Sequence, residues 1–401
     1  MKEIVIVDAV RTPIGKYKGA LKDVRPDDLG ATVIEALLDR NPQLPVEQIE
    51  DVVLGNANQA GEDNRNVARM SALLAGLPLH VGGTTINRLC GSGLDAVTYA
   101  ARAIAIGEGD IYIAGGTESM TRAPFVMAKP EHNFPRGNRE LYDTTIGWRF
   151  TNERLKKMYG ADSMPQTAEN VAREYNISRK EQDLFAFTSQ RRAKKAIAEG
   201  KFTNEIVPVV FQDQKGNYIK VQQDEHPRPG TTMDKLAQLK PIFTNGTITA
   251  GNASGINDGA SALLLMSAEK AKELRIQPLV KYVVSAVAGL EPRLMGLGPI
   301  RATKKALTRA KLKTDDIGLI ELNEAFASQS IECIRQLELD VQKVNVNGGA
   351  IAFGHPLGAS GARILTTLIH EMKRQKTEYG LATMCIGVGQ GIATIVENIK
   401  D

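Results

Sequence analysis

The chain has 401 residues, 42% hydrophobic and 24% charged, which is enough for two packed domains or one large duplicated one and excludes a low-complexity protein. Its formal net charge of +4 is small, and Lys and Arg are interleaved with Asp and Glu, so no nucleic-acid-binding face is expected, and a balance that suits a polyanionic small molecule equally well is read as background. Three widely spaced cysteines without a Cys-x-x-Cys, no membrane-length apolar run and no signal-peptide pattern lead to the expectation of a soluble, cytoplasmic protein without a disulfide framework.

In chain order, Ile4-Val5-Ile6-Val7 reads as a first strand, followed by a turn through Arg11-Thr12-Pro13-Ile14-Gly15, a helix over 29–38 and a strand ending at Gly55. After Cys90 come Gly91-Ser92-Gly93, an Ala-rich helix over 94–106 and a strand from Ile111. The alternation lapses over 121–245, which holds the only tryptophan, Trp148, the turn-rich His226-Pro227-Arg228-Pro229-Gly230 and an amphipathic helix over 178–198. Strand character resumes over 262–266, and a second series follows. It comprises a strand over 281–288, a helix over 300–310, a strand over 318–322, the run Gly358-Ala359-Ser360-Gly361, a helix over 362–372 and a strand over 380–386.

The two series match in order, which predicts an internal duplication of a βαβαβ-type unit with parallel sheets covered by helices. We therefore expect one half over 1–120 plus 246–275, an inserted loop domain over 121–245 and a second half over 276–401.

Three reactive side chains stand among glycines. Cys90 lies in Leu89-Cys90-Gly91-Ser92-Gly93 at a predicted helix start, where unpaired N–H groups are expected to lower a thiol pKa and hold an oxyanion. His355 lies in Phe353-Gly354-His355-Pro356-Leu357-Gly358, and Cys385 ends an apolar strand before Gly387-Val388-Gly389. Each has a plain alternative: a buried structural thiol, a surface-loop histidine and a buried strand cysteine. Asn323, in Asn323-Glu324-Ala325-Phe326 after a strand, taken alone favours a helix N-cap over a water or oxyanion holder. The five histidines show no metal-ligand spacing, so no metal site is expected. The glycine-set thiols point to covalent acyl chemistry on a thioester.

Cys90 in its Gly-Ser-Gly setting, Asn323-Glu324-Ala325-Phe326, Gly354-His355-Pro356 and Cys385-Ile386-Gly387 occur in an order that resembles the thiolases. So do the segments from Thr249 to Gly259 and from Asn347 to Ala352, and the resemblance runs from residue 7 to the C-terminus. It implies an α/β fold layered αβαβα and a CoA-dependent cleavage of a 3-oxoacyl-CoA, or the reverse Claisen condensation. In this resemblance Cys90 is the nucleophile, His355 its base and Cys385 the acid and base for the enolate and for CoA. The Cys90 and Gly387 N–H groups hold one oxyanion, and His355 with a water on Asn323 holds the other. Ser254 meets the pantetheine arm and Arg228 lies near the adenine, while Met164, Met295 and Phe326 line the pocket. No tightly bound cofactor is implied; CoA and acetyl-CoA are substrates, and the assembly is a homo-oligomer, dimer or tetramer.

Residues 143–150, 159–165 and 58–66 resemble the branch of the family that acts on 3-oxoadipyl-CoA. Acetoacetyl-CoA members usually carry histidine directly before the pocket methionine, where this chain has Ser163. A dicarboxylic acyl tail calls for a cation, for which Arg149 and Arg65 are the candidates, unless they pair structurally with Asp143 and Asp63. The alternatives are an acetoacetyl-CoA or broad-chain thiolase, a non-catalytic acyl-CoA-binding relative and a decarboxylating condensing enzyme. The last usually pairs its cysteine with two histidines or His and Asn, whereas this chain offers Cys385.

Overall fold

The computed structural model describes residues 1–134, 136–213 and 215–399. The first half contributes β1 (Ile4–Arg11), α1 (Pro26–Arg40), β2 (Ile49–Gly55), β3 (Gly82–Ile86), α2 (Ser92–Ile106), β4 (Ile111–Ser119) and β5 (Asn257–Ser267). The second contributes β6 (Val280–Gly289), α3 (Gly298–Ala310), β7 (Ile317–Leu322), α4 (Leu357–Gln375), β8 (Tyr379–Ile386) and β9 (Gln390–Asn398). Their order across the main sheet is β7-β8-β9-β6-β1-β5-β4-β2-β3, with the short strand Gly15–Lys16 paired to β5.

Read outward from the middle, the halves repeat each other. In the first, β1–β5 and β5–β4 are antiparallel while β4–β2 and β2–β3 are parallel. In the second, β6–β9 and β9–β8 are antiparallel and β8–β7 is parallel. A parallel bridge from Ile320 to Val344 then stands where β3 stands in the first half. The halves join through β1 and β6, which pair antiparallel at Val5–Lys281 and Ile6–Val280. Each half is thus a mixed sheet rather than the parallel one expected. The three residues between β8 and β9 are too few for a crossover, so those strands must run antiparallel.

The period-2 alternation of strands sets the layers. In β5, Leu263 and Leu265 face a core containing Leu94, Val97 and Ile104 of α2 and Leu365, Leu368 and Ile369 of α4. Leu264 and Met266 face the opposite way, onto Leu29, Val33 and Leu37 of α1. In the second half, Ala393 and Ile395 of β9 pack on Ile300, Ala306 and Leu307 of α3. The result is the layered αβαβα arrangement, with α2 and α4 between the sheets.

Both central helices start earlier than expected, α2 at Ser92 instead of 94 and α4 at Leu357 instead of 362. Glycine in a helix usually signals its end, but here Gly93 and Gly361 let the two backbones touch. A Cβ on Gly93 would lie 2.7 Å from the Gly358 carbonyl oxygen, and one on Gly361 would run into the Leu94 amide. Within 121–245 the amphipathic helix is present as Arg179–Ala198, closed by a Ser178–Glu181 capping box.

Candidate active site

Cys90 and His355 occupy equivalent turns of the two halves, before α2 and before α4. The Cys90 turn is tight: Leu89 has φ +48°, its N–H donates to Asn87 Oδ1 at 2.9 Å, and Ser92 Oγ donates to its carbonyl at 2.6 Å. Cys90 is half-buried on the wall of a cavity of about 270 Å3 that Gly387, Val388, Met164, Trp148 and Arg149 also line. The N–H groups of Gly387 and of Cys90 itself lie near enough to the sulfur to favour its thiolate. Burial nevertheless pushes the thiol up to about 11, and the nearby Glu118 carboxylate adds to this. The lowered thiol pKa expected from a helix start is therefore not found. Desolvation outweighs the two donors, and Cys90 stands two residues before the first residue of α2.

The second thiol closes the same site. Cys385, one residue from the end of β8, is buried in a small apolar cluster with Met295, Phe326 and Ile248, and Met164 packs against it. Burial drives its pKa far up, and proximity to Cys90 contributes. The turn that follows is strained: Val388, a β-branched residue, has φ +63°, a conformation costing roughly 1–3 kcal/mol. That turn carries the Gly387 N–H to Cys90.

His355 is buried and fixed on three sides. Its N–H donates to Asn257 Oδ1 at 3.0 Å, and its Nδ1 lies 2.6 Å from Ser360 Oγ. The Ser360 hydroxyl donates to the Pro356 carbonyl at 2.8 Å, so towards His355 it accepts, which assigns the imidazole proton to Nδ1. Nε2 is left with its lone pair, 3.5 Å from Asn323 Nδ2. Burial, reinforced by Arg363, lowers the imidazole to about 3, so it rests as a neutral base.

Asn323 is not an N-cap. The next helix is Ala327–Gln336, with Phe326 at its cap position, and Asn323 directly follows β7 with its N–H donating to the Thr383 carbonyl at 3.0 Å. Its Oδ1 is buried without a partner among the described residues, an acceptor suited to a water.

Several supporting residues escaped the sequence reading. Glu118, buried at the end of β4, accepts from the N–H groups of Ala57 and Gly358 at 2.8 and 2.7 Å, joining the loop after β2 to the first turn of α4. Burial raises it to about 7 despite these donors. Glu324 accepts from Ser189, Asn345 and the Ile351 N–H, fixing the loop that leads to His355. A charged residue inside an otherwise apolar strand was the one local signal for Glu118.

Two family models account for nearly the whole chain: the thiolase N-terminal domain over residues 4–269 and the thiolase C-terminal domain over 276–398. The chain belongs to the thiolase family. Like other thiolases it is an acyltransferase. The chain is 58% identical over 402 residues, covering 100% of both, to the 3-oxoadipyl-CoA/3-oxo-5,6-dehydrosuberyl-CoA thiolase of Escherichia coli (strain K12). It is 55% identical, again with 100% coverage of both, to a beta-ketoadipyl-CoA thiolase of Acinetobacter baylyi. The crystal structure of the Bacillus anthracis acetyl-CoA acetyltransferase superposes with a TM-score of 0.94 at 40% identity, covering 100% of this chain and 99% of that one.

The remaining expected thiolase site residues fall into two places. Met164, Met295 and Phe326 surround Cys385, and the Ser254 N–H donates to the Ala325 carbonyl at 2.9 Å beside them. Arg228 is not at the reacting cavity. It lines a separate cleft of about 300 Å3 with His226, Lys235 and Gly251, its N–H donating to Gln190 Oε1. Arg149 is on the wall of the Cys90 cavity, whereas Arg65 is exposed and off that wall. Neither expected structural pairing is present. Asp143 accepts from the Thr145 N–H, Asp63 from those of Gln59 and Gly61, and Arg149 donates to the Asn58 carbonyl at 3.0 Å.

Proposed function

We propose that this thiolase cleaves 3-oxoadipyl-CoA with free CoA, giving acetyl-CoA and succinyl-CoA. Two relatives at 58% and 55% identity with full coverage, named for that substrate, support the choice over acetoacetyl-CoA. The observation that supports the chemistry is that Cys90 and His355 precede helices whose first turns touch at Gly93 and Gly358, with Cys385 close enough to Cys90 to raise its own pKa further and Asn323 Nδ2 3.5 Å from His355 Nε2.

In this reading the Cys90 sulfur attacks the C3 carbonyl as its proton passes to His355 Nε2. The charge on the former carbonyl oxygen is held by the Cys90 and Gly387 N–H groups. The C2–C3 bond breaks, leaving succinyl-Cys90 and the enolate of acetyl-CoA, whose oxygen faces His355 and a water on Asn323. Cys385, held protonated by burial, gives its proton to the enolate carbon. The resulting thiolate takes the proton from incoming CoA, which attacks the acyl-Cys90 carbonyl and releases succinyl-CoA, and the departing Cys90 thiolate recovers its proton from the His355 imidazolium. Ser254 and Arg228 are assigned to the CoA moiety. The reading also carries a cytoplasmic homo-oligomer with CoA as co-substrate and no tightly bound cofactor. Among the described residues no helix is long and apolar enough to cross a membrane.

The test compares kcat/KM for 3-oxoadipyl-CoA, acetoacetyl-CoA and 3-oxooctanoyl-CoA, with Cys90→Ala as blank. A tenfold or larger preference for 3-oxoadipyl-CoA, about 1.4 kcal/mol of transition-state discrimination, is expected. A preference for either other substrate rejects the substrate assignment, and cleavage of none rejects the activity.

A further inference from the structure

The cavity at Cys90 is unusual in charge. Its wall is mostly apolar and uncharged, from Met120, Met164, Leu357 and Val388 to Trp148, and among the described residues Arg149 is its only cation. Two acidic residues share the wall, but both are engaged elsewhere. Glu118 takes N–H donors from Ala57, Asn58 and Gly358, and Asp162 Oδ2 accepts from Asn170 Nδ2 at 2.8 Å.

Arg149 itself is half-buried and held by one edge. Its Nη2 donates to the Asn58 carbonyl, and Asn58 is in turn pinned by its side-chain amide to the Thr144 carbonyl and hydroxyl at 3.0 and 3.1 Å. No carboxylate among the described residues forms an ion pair with it. A guanidinium has five N–H donors in a fixed fork, so most of its capacity remains unused on a wall shared with the nucleophile.

Chemistry places the substrate's second carboxylate in that same space. In 3-oxoadipyl-CoA two methylenes separate the C3 carbon, which bonds to the Cys90 sulfur, from the terminal carboxylate. With the acyl chain bonded to Cys90, that anion stays two methylenes from a carbon held in a cavity of about 270 Å3 that Cys90 and Arg149 both line. A carboxylate drawn against a largely apolar wall without a cation loses part of its hydration, and a forked donor offsets that loss with direction. We propose that Arg149 is the specificity-determining residue of this site, binding the terminal carboxylate of a dicarboxylic 3-oxoacyl-CoA while its anchored edge rests on the Asn58 carbonyl. The assignment rests on the substrate reading above. The same guanidinium selects against an apolar tail, because a methyl group facing it would leave the cation without a partner in a partly dried cavity.

The experiment measures kcat/KM for 3-oxoadipyl-CoA and for 3-oxohexanoyl-CoA, which replaces the carboxylate by a methyl at the same chain length. It is run on the full-length enzyme, on Arg149→Gln and on Arg149→Lys. We expect the ratio of the two to favour 3-oxoadipyl-CoA in the wild type and to fall about 100-fold in Arg149→Gln, as for loss of a charge-assisted hydrogen bond. Arg149→Lys, a point charge without the fork, should retain an intermediate ratio. Because each ratio is taken within one preparation, a smaller folded fraction cancels. An unchanged ratio in Arg149→Gln, whether both activities persist or fall together, overturns the assignment and leaves Arg149 a loop anchor. A wild type without preference removes the substrate reading and this inference with it, and is seen before any substitution is made.

Discussion

Burial sets the resting protonation of the reacting groups. The Cys90 thiol is pushed up to about 11 and His355 down to about 3, so near neutral pH the site rests as a thiol beside a neutral imidazole, not as a thiolate–imidazolium pair. The proton then moves as the sulfur attacks, and the thiolate fraction of free enzyme keeps growing with pH. Alkylation of Cys90 by iodoacetamide, read by mass spectrometry, should therefore accelerate by up to about tenfold per pH unit from pH 7 to 9. A plateau reached by pH 7 would show a preformed thiolate and contradict the desolvated site. At this scale the sequence was informative where chemistry stands among glycines, as for Cys90, His355 and Cys385. It was silent on Asn257 and Glu118, whose contacts to His355 and Gly358 span 98 and 240 residues. It misled for Asn323, because a strand-end Asn looks the same whether it caps a helix or keeps a buried oxygen without a partner among the described residues.

The turn joining the short helix Ala350–Phe353 to α4 is the element that aims His355, the proposed base. Gly354 has φ +97°, and a Cβ there would run into the amide of Asn257, whose oxygen holds the His355 N–H. Gly354→Ala should combine backbone strain of about 1–2 kcal/mol with displacement of Asn257. Since misplacing a catalytic group by about 1 Å can lower the rate 10²-fold, kcat should fall by about that factor. Cys90, in the other half, should still be alkylated. Wild-type kcat in this variant would mean that the Asn257 contact does not position His355. Glycine also explains the misjudged helix starts. Local propensity treats Gly93 and Gly361 as breakers, whereas the fold uses them to bring α2 and α4 together, and only the partner helix makes that visible.

The duplicated architecture was legible in the repeated order of strands and helices, but the joint between its parts was not. In the proposed mechanism the nucleophile comes from one half and the base and acid from the other, which makes activity depend on that joint. Beneath it lies Arg11 of β1, only 2% exposed, with Nε 2.6 Å from Glu205 and Nη1 2.7 Å from Asp224, both from 121–245. Thr367 of α4 donates to the same Glu205 at 3.0 Å, so one guanidinium connects first half, insertion and second half. Burial alone would lower the Arg11 pKa, yet the two carboxylates hold it above its ordinary value. Such a cluster is not evidence of net stabilisation, since desolving three charges opposes their attraction. Removing the cation alone is another matter, because it leaves two buried carboxylates with only the more distant Arg363 to offset them. Arg11→Met should therefore cost about 3–5 kcal/mol, read as a lower urea midpoint by Trp148 fluorescence and far-UV circular dichroism. The triple variant Arg11→Met, Glu205→Leu, Asp224→Leu should recover much of the loss. If the single variant unfolds at the wild-type midpoint, the joint is held by the apolar contacts of α2 and α4, and the buried charges are passengers in it.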